Sequence, residues 1–411
     1  MTDPIVVFLT LLIVGQTCLS VPLLLARAKN QATYLYLALF FFSCGILAMN
    51  NIVVQSLPQG YHIYTVVAFP TFFMLCPSLW FYVKGITAQH ESIWQRKHAW
   101  HYVLLAPAIL VSGMMLFLPE ASHSAIFIDD ETASTPLAKT IIISLLIMML
   151  LWLAQCVLTF FLIVKRLKDY RKRLKDFFSN NEHHDLKWFN WLMYCAISFW
   201  LLSLVSVFSS SLFNAFLYNA RAEAFITLCL LWSLAHFGLQ QKPALLTLNE
   251  LDTQDALSED KHGAVHPSLE ATTSEPVNTK RTLDTPKKYQ RSALNSEQAK
   301  RIAEKIKTAM QEQHLYLDPT LTLHKLASHL SISPNYLSQT LNETLGVNFF
   351  DYVNQWRIEA AKPKIIANQD TVLDIALEVG FNARSSFYKA FKQVTGQTPS
   401  EYRKENRKIS F

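Results

Sequence analysis

Long apolar runs set the first limit on this chain. Ile5–Leu25, Ala32–Val54, Tyr64–Val83, Tyr102–Leu118, Ile141–Val164, Trp191–Phe213 and Ala222–Leu239 are each almost free of Asp, Glu, Lys and Arg. Runs of this length cross a bilayer as helices, because hydrocarbon leaves no backbone donor or acceptor outside the segment to bond with. The reading is seven spans. Pro70 and Pro77 interrupt the third, where proline is tolerated as a kink. Ile5–Leu25 also competes as a signal peptide, but Met1–Pro4 carries no Lys or Arg, so a retained span is expected.

Charge orients the set. Basic residues crowd the first loop (Arg27, Lys29), the third (Lys84, Arg96, Lys97) and the fifth (Lys165 to Lys175, Lys187). The second loop has none, the fourth sets Lys139 against Glu120, Asp129, Asp130 and Glu131, and the sixth has only Arg221. This alternation places the N-terminus outside and the C-terminal region in the cytoplasm. The expected location is the inner (cytoplasmic) membrane, crossed several times.

The text KRLKDYRKRLKDFF, from Lys165, continues the fifth span without Pro or Gly, so a helix is expected to run on into the cytoplasm. Its charge serves topology and attraction to anionic lipid. The alternative is a rod that relays motion from membrane to cytoplasm. Ser179 or Asn180, with Glu182, are cap candidates for the sixth span. His183 and His184 are adjacent, on different helix faces, and lack companion ligands, so no metal site is expected.

The loops outside are short, so a signal must enter the bundle or act through lipid. Gln16, Asn50, Asn51, Gln155 and His236 are the intramembrane polar candidates. For Asn and Gln, hydrogen bonds between helices are the commoner role. No acidic or basic residue lies mid-span, which weighs against a transporter. The cysteines Cys18, Cys44, Cys76, Cys156, Cys195 and Cys229 all lie in apolar runs and read as small buried side chains.

Residues 242–289 are rich in Ser, Thr, Pro and mixed charge. They bury too little apolar surface to order themselves and are expected to form a flexible linker, spanning about 40 Å root-mean-square. Such a segment does not carry a rigid mechanical signal; changes in dimerisation or local concentration pass through it more easily. From Lys287 onward there are 18 Lys/Arg and 12 Asp/Glu, a net +6 (18 − 12). That excess favours a polyanion or an anionic surface as partner.

Residues 290–411 read as one helical domain. Ala299, Ile302, Ile306 and Met310 form a stripe, and Leu317–Pro319 is expected to end that element. Thr322 caps a short helix carrying Leu323, Leu326, Ala327 and Leu330; Ser333 and Pro334 start the next. Tyr336, Leu337, Thr340 and Leu341 are expected inside, leaving Asn335, Ser338, Gln339 and Asn342 outside. After a connecting helix the plan repeats. Ile375, Ala376 and Val379 lie on the first helix, and Gly380 allows the left-handed turn. Asn382 is the expected cap of the second helix, and Phe387, Ala390, Phe391 and Val394 form its inner stripe. Arg384, Tyr388, Lys389 and Lys392 fall largely off that stripe. Two helix-turn-helix units result.

This repeated text resembles the AraC/XylS family of transcription regulators. The first unit matches at Leu323, Leu326-Ala327, Leu330, Ser333, Tyr336-Leu337 and Gly346, and the connecting helix at Asn354, Arg357-Ile358 and Ala361. The second matches at Ile375-Ala376, Val379-Gly380-Phe381, Ser385, Phe387, Phe391-Lys392, Thr395-Gly396, Thr398-Pro399 and Tyr402-Arg403. The apolar runs and Tyr289–Leu294 look like the membrane-embedded branch of that family. The resemblance implies one reading helix per unit in the major groove of double-stranded DNA. It makes Asn335, Ser338, Gln339, Arg384, Tyr388 and Lys389 candidate base readers, and Asn382, Ser385 and Lys392 phosphate contacts; Asn342 lies on the same outer face.

The expected fold is therefore all-α: a seven-helix transmembrane bundle followed by a cytoplasmic, all-helical double helix-turn-helix domain. The text has no nucleotide loop, paired zinc ligands or nucleophile elbow, so neither an enzyme nor a cofactor is expected. Expected partners are double-stranded DNA, the lipid bilayer, a second copy of the chain as a homodimer, and an unidentified small-molecule or membrane signal. The alternative is a receptor or transporter whose basic domain binds a protein or lipid. One departure from the family text stands out: Pro363 predicts a kink or early end near Lys362 in the connecting helix, at about 3 kcal/mol for an interior proline.

Overall fold

The computed structural model describes residues 3–88, 100–127, 135–180, 186–208, 220–241 and 294–409. They divide into two compact units. The first holds Met1–Asp169 and Leu186–Leu246; the second holds Tyr170–Asp185 and Thr247–Phe411. The expected linker and the pair His183 and His184 lie outside the described residues.

In the first unit, helices α1 (Pro4–Ala28), α2 (Thr33–Ala48), α3 (Asn50–Ser56), α4 (Tyr61–Ile86), α5 (Leu105–Leu116) and α6 (Glu120–Phe127) follow in order. Helices α7 (Pro136–Phe177), whose residues after Asp169 belong to the second unit, α8 (Lys187–Phe208) and α9 (Ala220–Gln240) complete it. Asp3 caps α1 by accepting from the Ile5 N–H at 3.0 Å. Among the described residues, five helices are long and apolar enough to cross a membrane: Pro4–Ala28, Thr33–Ser56, Pro58–Ile86, Pro136–Phe177 and Ala220–Gln240.

The expected seven are therefore not all seen. The fourth run falls short because α5 has only 12 residues, about 18 Å against a hydrocarbon core of about 30 Å. Two prolines bound it. Pro107 lies in its first turn, where a missing N–H does no harm, and Pro119 follows its end. The sixth run forms α8, of 22 residues, and the stretch beyond Phe208 is outside the described residues.

Helices α1 and α9 pack side by side in the same direction. Asp3 pairs with Arg221 near the start of both, and Arg27 donates to the Leu239 carbonyl near the end of both. Small residues allow close approach. A Cβ placed on Gly45 would sit 2.7 Å from the Thr17 hydroxyl, and one on Gly238 2.8 Å from Leu37.

The second unit is helical too. Helix α10 (Ser296–Gln311) ends before Leu317–Pro319, earlier than expected; the text from Leu315 to Leu317 is a separate 3-10 turn. Then come α11 (Leu323–His329), α12 (Pro334–Gln339), α13 (Phe349–Ala367), α14 (Val372–Glu378), α15 (Arg384–Thr395) and α16 (Pro399–Ile409). One core gathers Ile306, Met310, Leu326, Leu337, Leu341 and Val353; a second gathers Ile358, Ile365, Ile375, Val379, Phe387 and Phe391. Helix α13 feeds both, its first half one and its second half the other.

Helix α13 does not end near Lys362. It continues through Pro363 to Ala367, closed by Asn368 in the left-handed region. Pro363 is exposed, so the Glu359 carbonyl that loses its N–H partner lies on the watery face of the helix. Ile358, Ala361 and Ile365, all 0% exposed, hold the opposite face in the second core. Burial on one face offsets a defect confined to the other.

Candidate nucleic-acid interface

The two helix-turn-helix units share one backbone device. In the first, Ser331 sits at φ 52°; its N–H bonds the Ser328 carbonyl at 3.0 Å, and the Ile332 N–H reaches back to Ala327 at 2.9 Å. In the second, Gly380 sits at φ 94°; its N–H bonds Leu377 at 3.1 Å, and Phe381 reaches back to Ala376 at 2.9 Å. Both pairs close a helix end as a Schellman turn. Each unit's first helix is opened by a threonine: the Thr322 hydroxyl accepts from Lys325, and that of Thr371 from Asp374, both at 3.2 Å.

Helix α12 begins with Ser333 as cap residue and Pro334 at its first position, though the Ser333 side chain makes no cap hydrogen bond. It runs into a π-turn, Thr340–Thr344, where the Leu345 N–H bonds the Thr340 carbonyl at 3.0 Å. Asn335 and Asn342 are exposed, and Ser338 and Gln339 half-buried. Gln339 donates to Glu343 at 2.8 Å, and Asn342 to the Ser338 carbonyl at 3.0 Å. Tyr336, expected inside, is 39% exposed, whereas Leu337 and Thr340 are fully buried.

Helix α15 starts at Arg384 with Ala383 as its cap residue, not Asn382. The turn at Gly380-Phe381 is followed by extended chain, which leaves Asn382 one position early for its side chain to reach the first-turn N–H groups. Phe387, Ala390 and Phe391 are buried as expected; Val394, at 37% exposed, is not. Asn382, Arg384, Ser385, Lys389 and Lys392 are exposed and Tyr388 is half-buried. The Arg384 guanidinium lies 4.9 Å from the Tyr388 ring centroid and donates to its hydroxyl at 2.9 Å. That stacking holds a flexible cation in one place. Charge is uneven: α15 presents three cations, whereas the outer face of α12 is neutral apart from Glu343.

Residues 326–405 match the family described as helix-turn-helix domain. The C-terminal segment is thus similar to helix-turn-helix domains. The chain is 37% identical over 112 residues to an uncharacterized HTH-type transcriptional regulator of Staphylococcus aureus (strain COL), covering 27% of this chain and 14% of that one. It is 32% identical over 96 residues to the HTH-type transcriptional regulator YtdP of Bacillus subtilis (strain 168), covering 23% and 12%. The match thus spans about a seventh of the first relative's length. Among solved structures, the C-terminal domain of AraT, a response regulator from Geobacillus stearothermophilus, matches at 29% identity, 28% of this chain, 88% of that chain and TM-score 0.23.

One buried residue of the connecting helix, matched in the sequence only as part of the family pattern, joins the two helix-turn-helix units. Arg357, on α13, is 0% exposed. Its Nε donates to the Tyr316 carbonyl at 2.7 Å and one terminal nitrogen to the Asp318 carbonyl at 2.8 Å. Its guanidinium also lies 5.5 Å from the Phe381 ring centroid. Burial pushes its pKa down to about 10, with Asp318 acting the other way. It remains charged at neutral pH. Its place was legible: Phe349, Val353, Arg357 and Ala361 recur every fourth residue, on the inner face of α13.

The intramembrane candidates are scattered rather than gathered. Asn50 accepts from the Tyr61 hydroxyl at 3.4 Å and, with Tyr64, Thr65, Phe69, Met115 and Leu145, lines a mostly apolar cavity of about 330 Å³. Asn51 is exposed. Gln155 donates to the His101 carbonyl at 3.0 Å, and exposed His236 shares a hydrogen bond with Gln240 at 3.3 Å. The buried amide of Gln16 has no hydrogen-bond partner among the described residues. Among those residues, no group of three His, Cys, Asp or Glu is placed to hold a metal ion.

Proposed function

We propose that this protein is a membrane-anchored, sequence-specific DNA-binding transcription regulator. Residues 1–241 are the membrane domain, 242–289 a linker and 290–411 the DNA-binding domain. The observation that carries the reading is the repeat itself. Two units with the same threonine cap and the same Schellman turn each present an exposed or half-exposed polar helix, joined by one rigid helix. Asn335, Ser338, Gln339, Arg384, Tyr388 and Lys389 read bases; Asn382, Ser385 and Lys392 hold phosphates, and Asn342 flanks the first reading face.

The same direction of α1 and α9 supports an odd number of crossings, with both helices entering from one face. With the basic loops inside, the N-terminus is outside and the DNA-binding domain cytoplasmic. The membrane domain, with an odd number of crossings, senses a small molecule or a membrane signal, or anchors the chain.

The test is a gel shift with the full chain in lipid nanodiscs on its own upstream DNA, across a salt series. Binding that weakens linearly in log–log form with salt, and is lost on scrambled sequence only at the specific site, is expected. No shift at any salt concentration counts against the reading.

A further inference from the structure

The end of α7 belongs to the DNA-binding unit. The helix leaves the fifth apolar run and closes at Phe177; the chain then lies along the first helix-turn-helix unit. Phe178 forms an antiparallel bridge with Thr322, and the Ser179 N–H bonds the Leu321 carbonyl at 3.3 Å. Phe177 stacks on His324, centroids 5.9 Å apart and planes 7° apart. Lys175 lies 3.7 Å from Asp351 and 5.2 Å from the Phe350 ring centroid.

Ser179 is not the helix cap that its residue type suggested. It is 2% exposed, and its hydroxyl donates to the Leu321 carbonyl at 2.6 Å. The same hydroxyl and the Ser179 carbonyl each accept from Arg357 at 3.3 Å. A guanidinium has five N–H groups. Here Tyr316, Asp318 and Asn354 take three of them, and Ser179 takes the other two.

Arg357 is also where the two units meet. A Cβ on Gly380 would lie 2.8 Å from both the Tyr316 and Leu317 carbonyl oxygens and 3.1 Å from Arg357 Nε. The turn of the second unit therefore seats directly on the loop that Arg357 grips. Asp351, the partner of Lys175, accepts from Gln393 of α15 at 3.3 Å. The segment thus touches the arrangement of both reading helices while lying away from their outer faces.

We propose that residues 175–180 form an intramolecular strap that seats on the first helix-turn-helix unit, completes the hydrogen bonding of Arg357 and thereby fixes the angle between the two reading helices. This rests on the DNA-binding reading above. Seating leaves Asn335, Arg384, Lys389 and Lys392 exposed, so the strap does not block the readers; the seated form is the one that measures the spacing between two DNA elements. Released, Arg357 loses two acceptors and the units gain freedom relative to one another. The strap is covalently continuous with an apolar helix, so a change in the membrane has a route to the reading helices that bypasses the linker.

The experiment uses the full chain in nanodiscs and has two arms. Hydrogen exchange followed by mass spectrometry reads the amides of 177–180. Slow exchange is expected in the wild type, and faster exchange in the double variant Lys175→Glu, Ser179→Ala. DNA binding is measured on duplexes selected from a random pool by the wild-type chain, then respaced by one or two base pairs between the two recognised elements. The wild type should discriminate spacings by about tenfold. The double variant should fall to about twofold, with affinity for a single element unchanged. Unprotected strap amides in the wild type overturn the seating. An unchanged spacing profile in a variant whose strap amides exchange freely overturns the coupling. If the wild type selects no DNA at all, the functional reading fails, while the exchange arm still decides whether the strap is seated.

Discussion

Among the described residues of the second unit, three glycines have positive φ: Gly346 at 69°, Gly380 at 94° and Gly396 at 79°. Replacing each by alanine separates backbone strain from lack of space. Strain alone costs about 1–2 kcal/mol for an L-residue held in that region. At Gly346 and Gly396 a Cβ meets nothing within 4 Å, so Gly346→Ala and Gly396→Ala should each cost about that much. At Gly380 the Cβ arrives 2.8 Å from the Tyr316 and Leu317 carbonyl oxygens. Those are backbone atoms, and both must retreat by several tenths of an ångström. An overpacking cost of about 1–3 kcal/mol then adds, for a total of about 2–5 kcal/mol. The assay is native-state hydrogen exchange on the full chain in nanodiscs, comparing the opening free energy of α13, α14 and α15 peptides in the three variants. If Gly380→Ala loses no more than Gly396→Ala, within about 0.5 kcal/mol, the claim that the two units are seated against each other at this turn is wrong.

The proposed base readers and phosphate positioners should be separable in the same preparation. Arg384→Ala should relax base preference at one position and cost about 1–3 kcal/mol there, whereas Lys392→Ala should weaken all sequences alike and reduce the salt slope by about 1; identical behaviour across a base-substitution series would remove the distinction. Thr322→Ala and Thr371→Ala should each lower the stability of their own unit by about 1 kcal/mol, read as exchange at the Lys325 and Asp374 amides. Arg357→Lys keeps the charge but offers three donors in place of five, so about 2–4 kcal/mol of destabilisation is expected by chemical denaturation. A change under about 0.5 kcal/mol would mean that the Tyr316, Asp318 and Ser179 oxygens find other donors at no cost.

Much of the second unit was legible because short-range rules act there without competition. Thr322 reads as a cap from its type and position and is one; Gly380 reads as left-handed and is. Asn382 misled because residue type alone does not fix where the helix begins: the extended backbone after the turn puts Ala383, a poor cap by type, at that position. The early end expected at Pro363 misled for a different reason: propensity describes an isolated helix, and here one face of α13 is held by the second core. In the membrane part, hydropathy marks apolar length but not where a helix begins. Tyr102–Leu118 has the length of a span, yet Pro107 and Pro119 shorten its helix to 12 residues. The role of Ser179 had no local signal. Its partners are 142 and 178 residues away in sequence, and only tertiary structure brings them to it.

The oxygens around Arg357 are carbonyl, amide and hydroxyl; none belongs to a carboxylate. A joint of that kind holds its geometry as ions are added, unlike a surface ion pair, which fades within the first few hundred millimolar. On the DNA-binding reading, this joint should hold the two outer helices at one angle as salt rises, while the Lys175–Asp351 pair beside it weakens. The slope of a salt titration of DNA binding would then count phosphates released together with whatever that one exposed pair contributes.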